Sequence, residues 1–213
     1  MTGKNFSANN VSNKRKESDF YETPYSLTRL FLDTYTLGFF NGNGYSSHIL
    51  EPACGNGAIV KVLKEYGYGD RESSVITATD LSQGIDFLTH DFGKQEFNTI
   101  ITNPPYSLAM EFIKRAKSMS ETNGVTEIAM LLPLSYLHGK QRYDEIWCDR
   151  EFPLSEVYVF TRYPLLGEPL REDGKVHTGM MVYAWFVWTN KYDVFSPSIH
   201  WLDNNDFILK KGE

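Results

Sequence analysis

The chain has 213 residues, 41% hydrophobic and 23% charged, an ordinary globular composition with enough apolar material for one domain with a sizeable core. Its net charge of −6 argues against a stand-alone, high-affinity nucleic-acid binder, because the overall field does not attract phosphate. Cys54 and Cys148 lack metal-type spacing, and the chain shows neither a signal peptide nor an apolar run that could span a bilayer. These features predict reduced thiols, no metal site, no membrane contact and a cytoplasmic location.

Residues 1–18 are rich in Ser, Asn and Lys and read as a disordered basic arm. Lys4, Lys14, Arg15 and Lys16 against Glu17 give the arm a charge of +3, so the remainder carries −9. The arm is either a plain terminus or a contact to a nucleic-acid backbone. Residues 19–213 then form a single domain.

Asp19-Phe20-Tyr21-Glu22-Thr23-Pro24 leads into a helical pattern that runs to about Tyr35, with Leu27, Leu30, Phe31 and Thr34 on one face. Thr23 is suited to capping this helix, with Pro24 in its first turn. Next, His48-Ile49-Leu50-Glu51 reads as a strand entering the glycine turn Pro52-Ala53-Cys54-Gly55-Asn56-Gly57, and a helix follows to about Tyr66. Strand, glycine turn and helix in this order are the layout of a nucleotide-type site. Gly55 and Gly57 permit close backbone approach and positive φ. With no third spaced glycine and no P-loop lysine, phosphate is not the predicted ligand.

Val75 to Asp80 reads as the second strand, ending in an acid suited to accept from both hydroxyls of a ribose. Asp80 lies 23 residues after Gly57, near the roughly 20 expected for that role. Two Asp-Phe pairs follow, Asp86-Phe87 and Asp91-Phe92. Asn98 to Thr102 is a third strand, and it delivers Asn103-Pro104-Pro105-Tyr106.

That tetrapeptide has a chemistry of its own. The prolines remove two N–H donors and stiffen the backbone, and Pro104 bars Asn103 from the α region. The Asn103 carboxamide oxygen and the Pro104 carbonyl can both accept from one –NH₂ group. Such acceptors favour a pyramidal nitrogen and free the delocalised lone pair of an amide or exocyclic amine. Tyr106 adds a face for stacking, worth about 1–3 kcal/mol to a base. The plain alternative is a strand-to-helix loop punctuated by prolines.

A helix from Ser107 to Met119 carries Leu108, Phe112, Ala116 and Met119 on its core side and Lys114, Arg115 and Lys117 on a solvated side. Glu127 to Leu137 contains a central strand, Ile128 to Leu132, with Pro133-Leu134-Ser135 at its ligand-facing end. Lys140 to Asp149 reads as helix, and Glu156 to Thr161 and Gly179 to Thr189 as strands. The tail from Lys191 packs on the sheet.

In this order the motifs resemble the class I S-adenosylmethionine-dependent amino-methyltransferases, in particular the DNA adenine-N6 enzymes; the likeness runs from about Asp19 to Thr189. It implies an α/β Rossmann-like, doubly wound, seven-stranded and mostly parallel sheet with an antiparallel last strand next to the sixth. It implies S-adenosylmethionine as cofactor and an exocyclic amine, adenine N6 in DNA, as acceptor. RNA adenine or a protein glutamine amide are alternative acceptors, and a non-catalytic cofactor-binding subunit is a further alternative. The implied catalytic residues are Asn103, Pro104, Pro105 and Tyr106. Tyr21 and Thr23 line the methionine end of the cofactor. Glu51, with Ala53, Gly55 and Gly57, serves the ammonium end, and Asp80 the ribose. Asp86 and Phe87 serve the adenine, with Asp91 the alternative acid. The 162–178 loop supplies a second stacking residue, Tyr163, with Phe160 of the preceding strand the alternative, and Arg162, Arg171, Lys175 and His177 are available to phosphate or base edges. DNA enzymes of this kind usually carry a separate recognition domain. None is legible here, so specificity falls to that loop, the arm or a protein partner.

Overall fold

The computed structural model describes residues 22–37, 47–70, 73–162, 181–191 and 196–204. In chain order the main elements are α1 (Tyr25–Thr34), β1 (Ser47–Glu51), α2 (Ala58–Glu65), β2 (Ser74–Ala78), β3 (Thr99–Thr102), α3 (Ala109–Asn123), β4 (Glu127–Pro133), β5 (Leu154–Phe160), β6 (Tyr183–Thr189) and β7 (Ser198–Leu202). The strands form one seven-stranded sheet in the order β2-β1-β3-β4-β6-β5-β7. β6 is antiparallel to both β4 and β5, and every other pairing is parallel. The antiparallel strand is thus the expected one, 183–189, inserted beside the strand that precedes it in the chain. The tail then adds a further strand, β7, paired in parallel with β5 at the sheet edge.

Both faces of the sheet are covered, so its central strands are apolar throughout rather than alternating. Ile128, Met130 and Leu132 of β4, with Phe186 and Trp188 of β6, pack on the α3 side. Ala129, Leu131, Trp185 and Val187 point to the opposite side, into a core with Leu27 and Phe31 of α1 and Val62 and Leu63 of α2. The alternation follows from the two-residue period of a strand.

Two helix faces differ from expectation. α1 buries Leu27, Thr28, Phe31 and Leu32, while Thr34 is exposed and returns its hydroxyl to the carbonyls of Leu30 and Phe31. Phe31, which belongs to the expected and the observed face alike, stacks on Trp185 with centroids 4.8 Å apart. On the basic side of α3 only Lys114 stays exposed, and all three cations have partners. Lys117 donates to Asp149 at 2.7 Å, Arg115 donates to the His90 carbonyl at 3.0 Å, and Lys114 pairs with Glu145. A helical turn Lys140–Arg142 running into a π-helical turn Tyr143–Trp147 presents Glu145 and leads to Asp149.

β1 pairs with β2 on one side and with β3 on the other, so the chain reverses its direction across the sheet at β1. Ligands in open α/β sheets bind outside the carboxyl ends of the strands at such a switch point. Glu51, Asp80 and Asn103 all lie there, at or just beyond the ends of β1, β2 and β3.

Candidate active site

The glycine turn is stitched to the end of β2. Thr79 N donates to the Glu51 carbonyl at 2.9 Å, and Cys54 N donates to the Thr79 carbonyl at 3.0 Å. Gly55 and Gly57 have φ of +49° and +83°, which only glycine adopts freely. A Cβ at Gly57 would meet nothing within 4 Å, so backbone conformation rather than crowding calls for glycine there. Asp80 closes the turn: one carboxylate oxygen accepts from Gly55 N at 2.9 Å and the other from Ser82 N at 2.8 Å. Partial burial alone would raise the Asp80 pKa, but the hydrogen bonds from Ser82 and Gly55 outweigh it and hold the carboxyl below its ordinary range. Asp80 is therefore a fixed anion at the mouth of the switch point.

Glu51 is fully buried one strand away, with one oxygen accepting from Ala53 N at 3.3 Å. Its other oxygen, Oε2, is closed off from water and has no hydrogen-bond partner. Burial pushes its pKa up to about 8; the nearby Thr102 hydroxyl and the Ala53 N–H offset part of that, and Asp80 adds to it. A buried carboxyl with an idle oxygen, in sight of a second acid, is a place prepared for a cation or a donor.

The third corner is Asn103. Its Nδ2 donates to Thr23 Oγ1 at 2.9 Å, a contact between residues 80 positions apart. Its Oδ1 is buried and unpaired. The carboxamide is thus held by its nitrogen and left with an idle acceptor, which costs about 1–3 kcal/mol until a donor arrives. Thr23 does not cap α1: that helix starts after Pro24 with no side-chain cap, and the Thr23 hydroxyl is spent on Asn103 instead. Pro104 is buried, and Pro105 opens a 3₁₀ turn, Tyr106–Leu108, that turns the chain into α3.

Tyr106 is half-buried, and its ring touches Tyr183, with centroids 5.6 Å apart and planes at 36°. Tyr183 comes from the first position of β6, opposite Pro133. Its place beside Tyr106 is set by strand pairing and had no local signal beyond the aromatic run that contains it. Leu81, also missed, follows Asp80 and is 72% exposed, a large apolar surface at the same mouth.

The two Asp-Phe pairs are built alike. Asp86 accepts from Leu88 N and Asp91 from Gly93 N, each closing a turn on the residue two positions on. Both phenylalanines are buried in the core, Phe87 against Phe112 at 5.0 Å and Phe92 against Phe97 at 5.4 Å. The pairs differ at the acid, since Asp86 is half-buried and Asp91 exposed. Phe160, 1% exposed on the α1 side of the sheet, and Phe87, 2% exposed on the α3 side, are both core residues whose rings present no open face for stacking. Arg162 is exposed. Tyr21, Tyr163, Arg171, Lys175, His177 and the 1–18 arm lie outside the described residues. Among the described residues no cluster of His, Cys, Asp and Glu could hold a metal ion, and no helix is long and apolar enough to cross a membrane.

No family model and no curated protein sequence matches the chain. Solved structures do. One is the modification subunit assigned to a type I restriction enzyme of Vibrio vulnificus, with a TM-score of 0.53 at 16% identity, covering 94% of this chain and 49% of that one. Another is a Listeria monocytogenes protein assigned to the class I S-adenosylmethionine-dependent methyltransferases, with a TM-score of 0.52 at 9% identity, covering 91% of this chain and 68% of that one. The fold is that of the class I methyltransferases. The chain spans about half the length of the Vibrio subunit. At these identities the likeness is one of fold, and the chemistry rests on the corner described above.

Proposed function

We propose that this protein is an S-adenosylmethionine-dependent methyltransferase acting on an exocyclic amine, adenine N6 in DNA. The observation that carries the reading is the Asn103 carboxamide, tied down through Nδ2 and left with a buried, unpaired Oδ1 at the switch point of the sheet. A methyl acceptor of this class is a planar –NH₂, and an –NH₂ brings the donor that Oδ1 lacks.

The residues present fit the cofactor. Oε2 of Glu51 lacks a partner, as the site of an ammonium group should. Asp80 is held ionised with lone pairs to spare for ribose hydroxyls, Leu81 offers an apolar wall for a purine, and the turn at Gly55 and Gly57 lets a ligand lie close. Asp86, the less exposed of the two candidate acids, would accept from the adenine amine, and Tyr21 would line the methionine end. S-adenosylmethionine supplies a methyl group on a positively charged sulfur.

The protein's own part is alignment and hydrogen bonding. Asn103 Oδ1 and the Pro104 carbonyl hold the target nitrogen and favour its pyramidal form, and Tyr106 provides a stacking face. A base in a duplex has to leave the stack to reach them, which costs a few kcal/mol offset by that stacking and by the amine's hydrogen bonds. The relation in fold to a restriction-enzyme modification subunit supports DNA as substrate and a protein partner that supplies target recognition.

Incubating the protein with methyl-labelled cofactor and DNA, RNA or protein in parallel tests the reading. Label in DNA, lost in Asn103→Ala, is the expected outcome. Label in RNA or protein alone reassigns the acceptor, and equal labelling by Asn103→Ala removes the catalytic assignment.

A further inference from the structure

By sequence, Thr23 is suited to cap a helix or to touch the cofactor. The structure gives its hydroxyl a different task. Oγ1 accepts from Asn103 Nδ2 at 2.9 Å, Thr23 is 5% exposed, and the helix that follows takes nothing from its side chain. We infer that Thr23 is a positioning residue for the transfer step: it anchors the Asn103 carboxamide by its nitrogen, so that the oxygen is the end presented to the acceptor amine.

The argument is one of donors and acceptors. A carboxamide is nearly symmetric in shape but opposite in hydrogen bonding at its two ends. A hydroxyl can serve either end of the amide, but turned the other way Asn103 would set its own –NH₂ against the substrate's –NH₂, donor against donor; the pairing seen, with Thr23 Oγ1 accepting, is the one that leaves the oxygen for the acceptor amine. Asn103 sits directly before Pro104 in a stiff segment, so its backbone is fixed, but its side-chain torsions are not. Among the described residues Thr23 Oγ1 is the partner recorded for the amide nitrogen. The pairing links the segment before α1 to the end of β3, and so makes the amide's orientation depend on how the N-terminal segment is docked. This inference rests on Asn103 being the amine acceptor, and it adds a requirement which that reading alone does not make.

The test compares Thr23→Val, which keeps the shape and removes the acceptor, with Thr23→Ser, which restores it. Before any substrate is added, the side-chain amide protons of Asn103, labelled with ¹⁵N and assigned by their disappearance in Asn103→Asp, should exchange slowly in the wild type and in Thr23→Ser. In Thr23→Val they should exchange at least about tenfold faster. Single-turnover methyl transfer should fall about tenfold to a hundredfold in Thr23→Val and recover to within about threefold in Thr23→Ser. Cofactor affinity should stay within about twofold and the thermal midpoint within a few degrees. Unchanged amide exchange in Thr23→Val overturns the inference. So does a loss of activity explained by weaker cofactor binding, which would return Thr23 to the methionine end. Wild-type protein that transfers no methyl while the amide protons respond as stated would instead count against the methyltransferase reading and leave the anchor standing.

Discussion

Asp80 accepts the backbone N–H of Gly55 at 2.9 Å, so the acid at the end of the second strand holds the turn that ends the first. The same carboxylate thus shapes the glycine turn and offers its remaining lone pairs to a ligand. Asp80→Ala should lower stability by about 1–2 kcal/mol, read from denaturant midpoints, and weaken cofactor binding as well. The folded pKa is depressed, so this contribution is present above the unfolded value of 3.8 and is lost as pH falls through the folded one. Wild type and variant should therefore begin to converge in stability only below the unfolded value of 3.8, and fully only below the folded one.

Glu51 predicts the opposite pH dependence. Its folded pKa, raised from 4.5 to about 8, means that the folded protein prefers the neutral carboxyl. Its favourable contribution is full below the unfolded value and declines as pH rises towards 8. Glu51→Gln should flatten that decline in a thermal-midpoint series from pH 5 to pH 8.5. A cationic ligand group needs the ionised form, so cofactor binding near neutral pH should release a proton and tighten by up to about tenfold per pH unit. Titration calorimetry in buffers of different ionisation heat would detect the proton, and Glu51→Gln should abolish it.

The ring contact between Tyr106 and Tyr183 predicts a division of labour. Tyr106→Ala should weaken nucleic-acid binding by about 1–3 kcal/mol, or about fivefold to 150-fold, and Tyr106→Phe should keep it. Tyr183→Ala should give a smaller loss in the same direction, because it removes the neighbour that steadies the ring rather than the stacking face. Binding of a short oligonucleotide with an unpaired adenine, followed by fluorescence anisotropy, separates the two.

Two lysines on one helix should differ. The Lys117 side chain is 11% exposed and donates to Asp149 and to the Ile146 carbonyl, whereas that of Lys114 is 48% exposed in its pair with Glu145. Lys117→Ala strands a partly buried carboxylate and should cost about 2–3 kcal/mol. Lys114→Ala should cost about 1 kcal/mol or less. Chemical denaturation of the two variants checks the contrast.

What the sequence determined by itself is whatever short-range chemistry decides. Two prolines stiffen the segment after Asn103 wherever it lies, Gly55 and Gly57 allow a turn that other residues resist, and a continuous apolar run such as Ile128 to Leu132 belongs inside a sheet covered on both faces. From these the strand–turn–helix order, the sheet class and the position of the three corner residues could be read. Pairing across long stretches of chain was left to the tertiary structure. Thr23 could pass for a cap until Asn103, 80 residues on, took its hydroxyl. Asp86 and Asp91 make the same local turn, and only burial separates them. Lys117 follows a helical period that predicts solvent, and the 143–149 segment covers it. The same holds for Glu51, whose pKa and idle oxygen come from the strands packed around it. Local propensity acts over a few residues. Desolvation and hydrogen-bond partners depend on what the rest of the chain brings alongside.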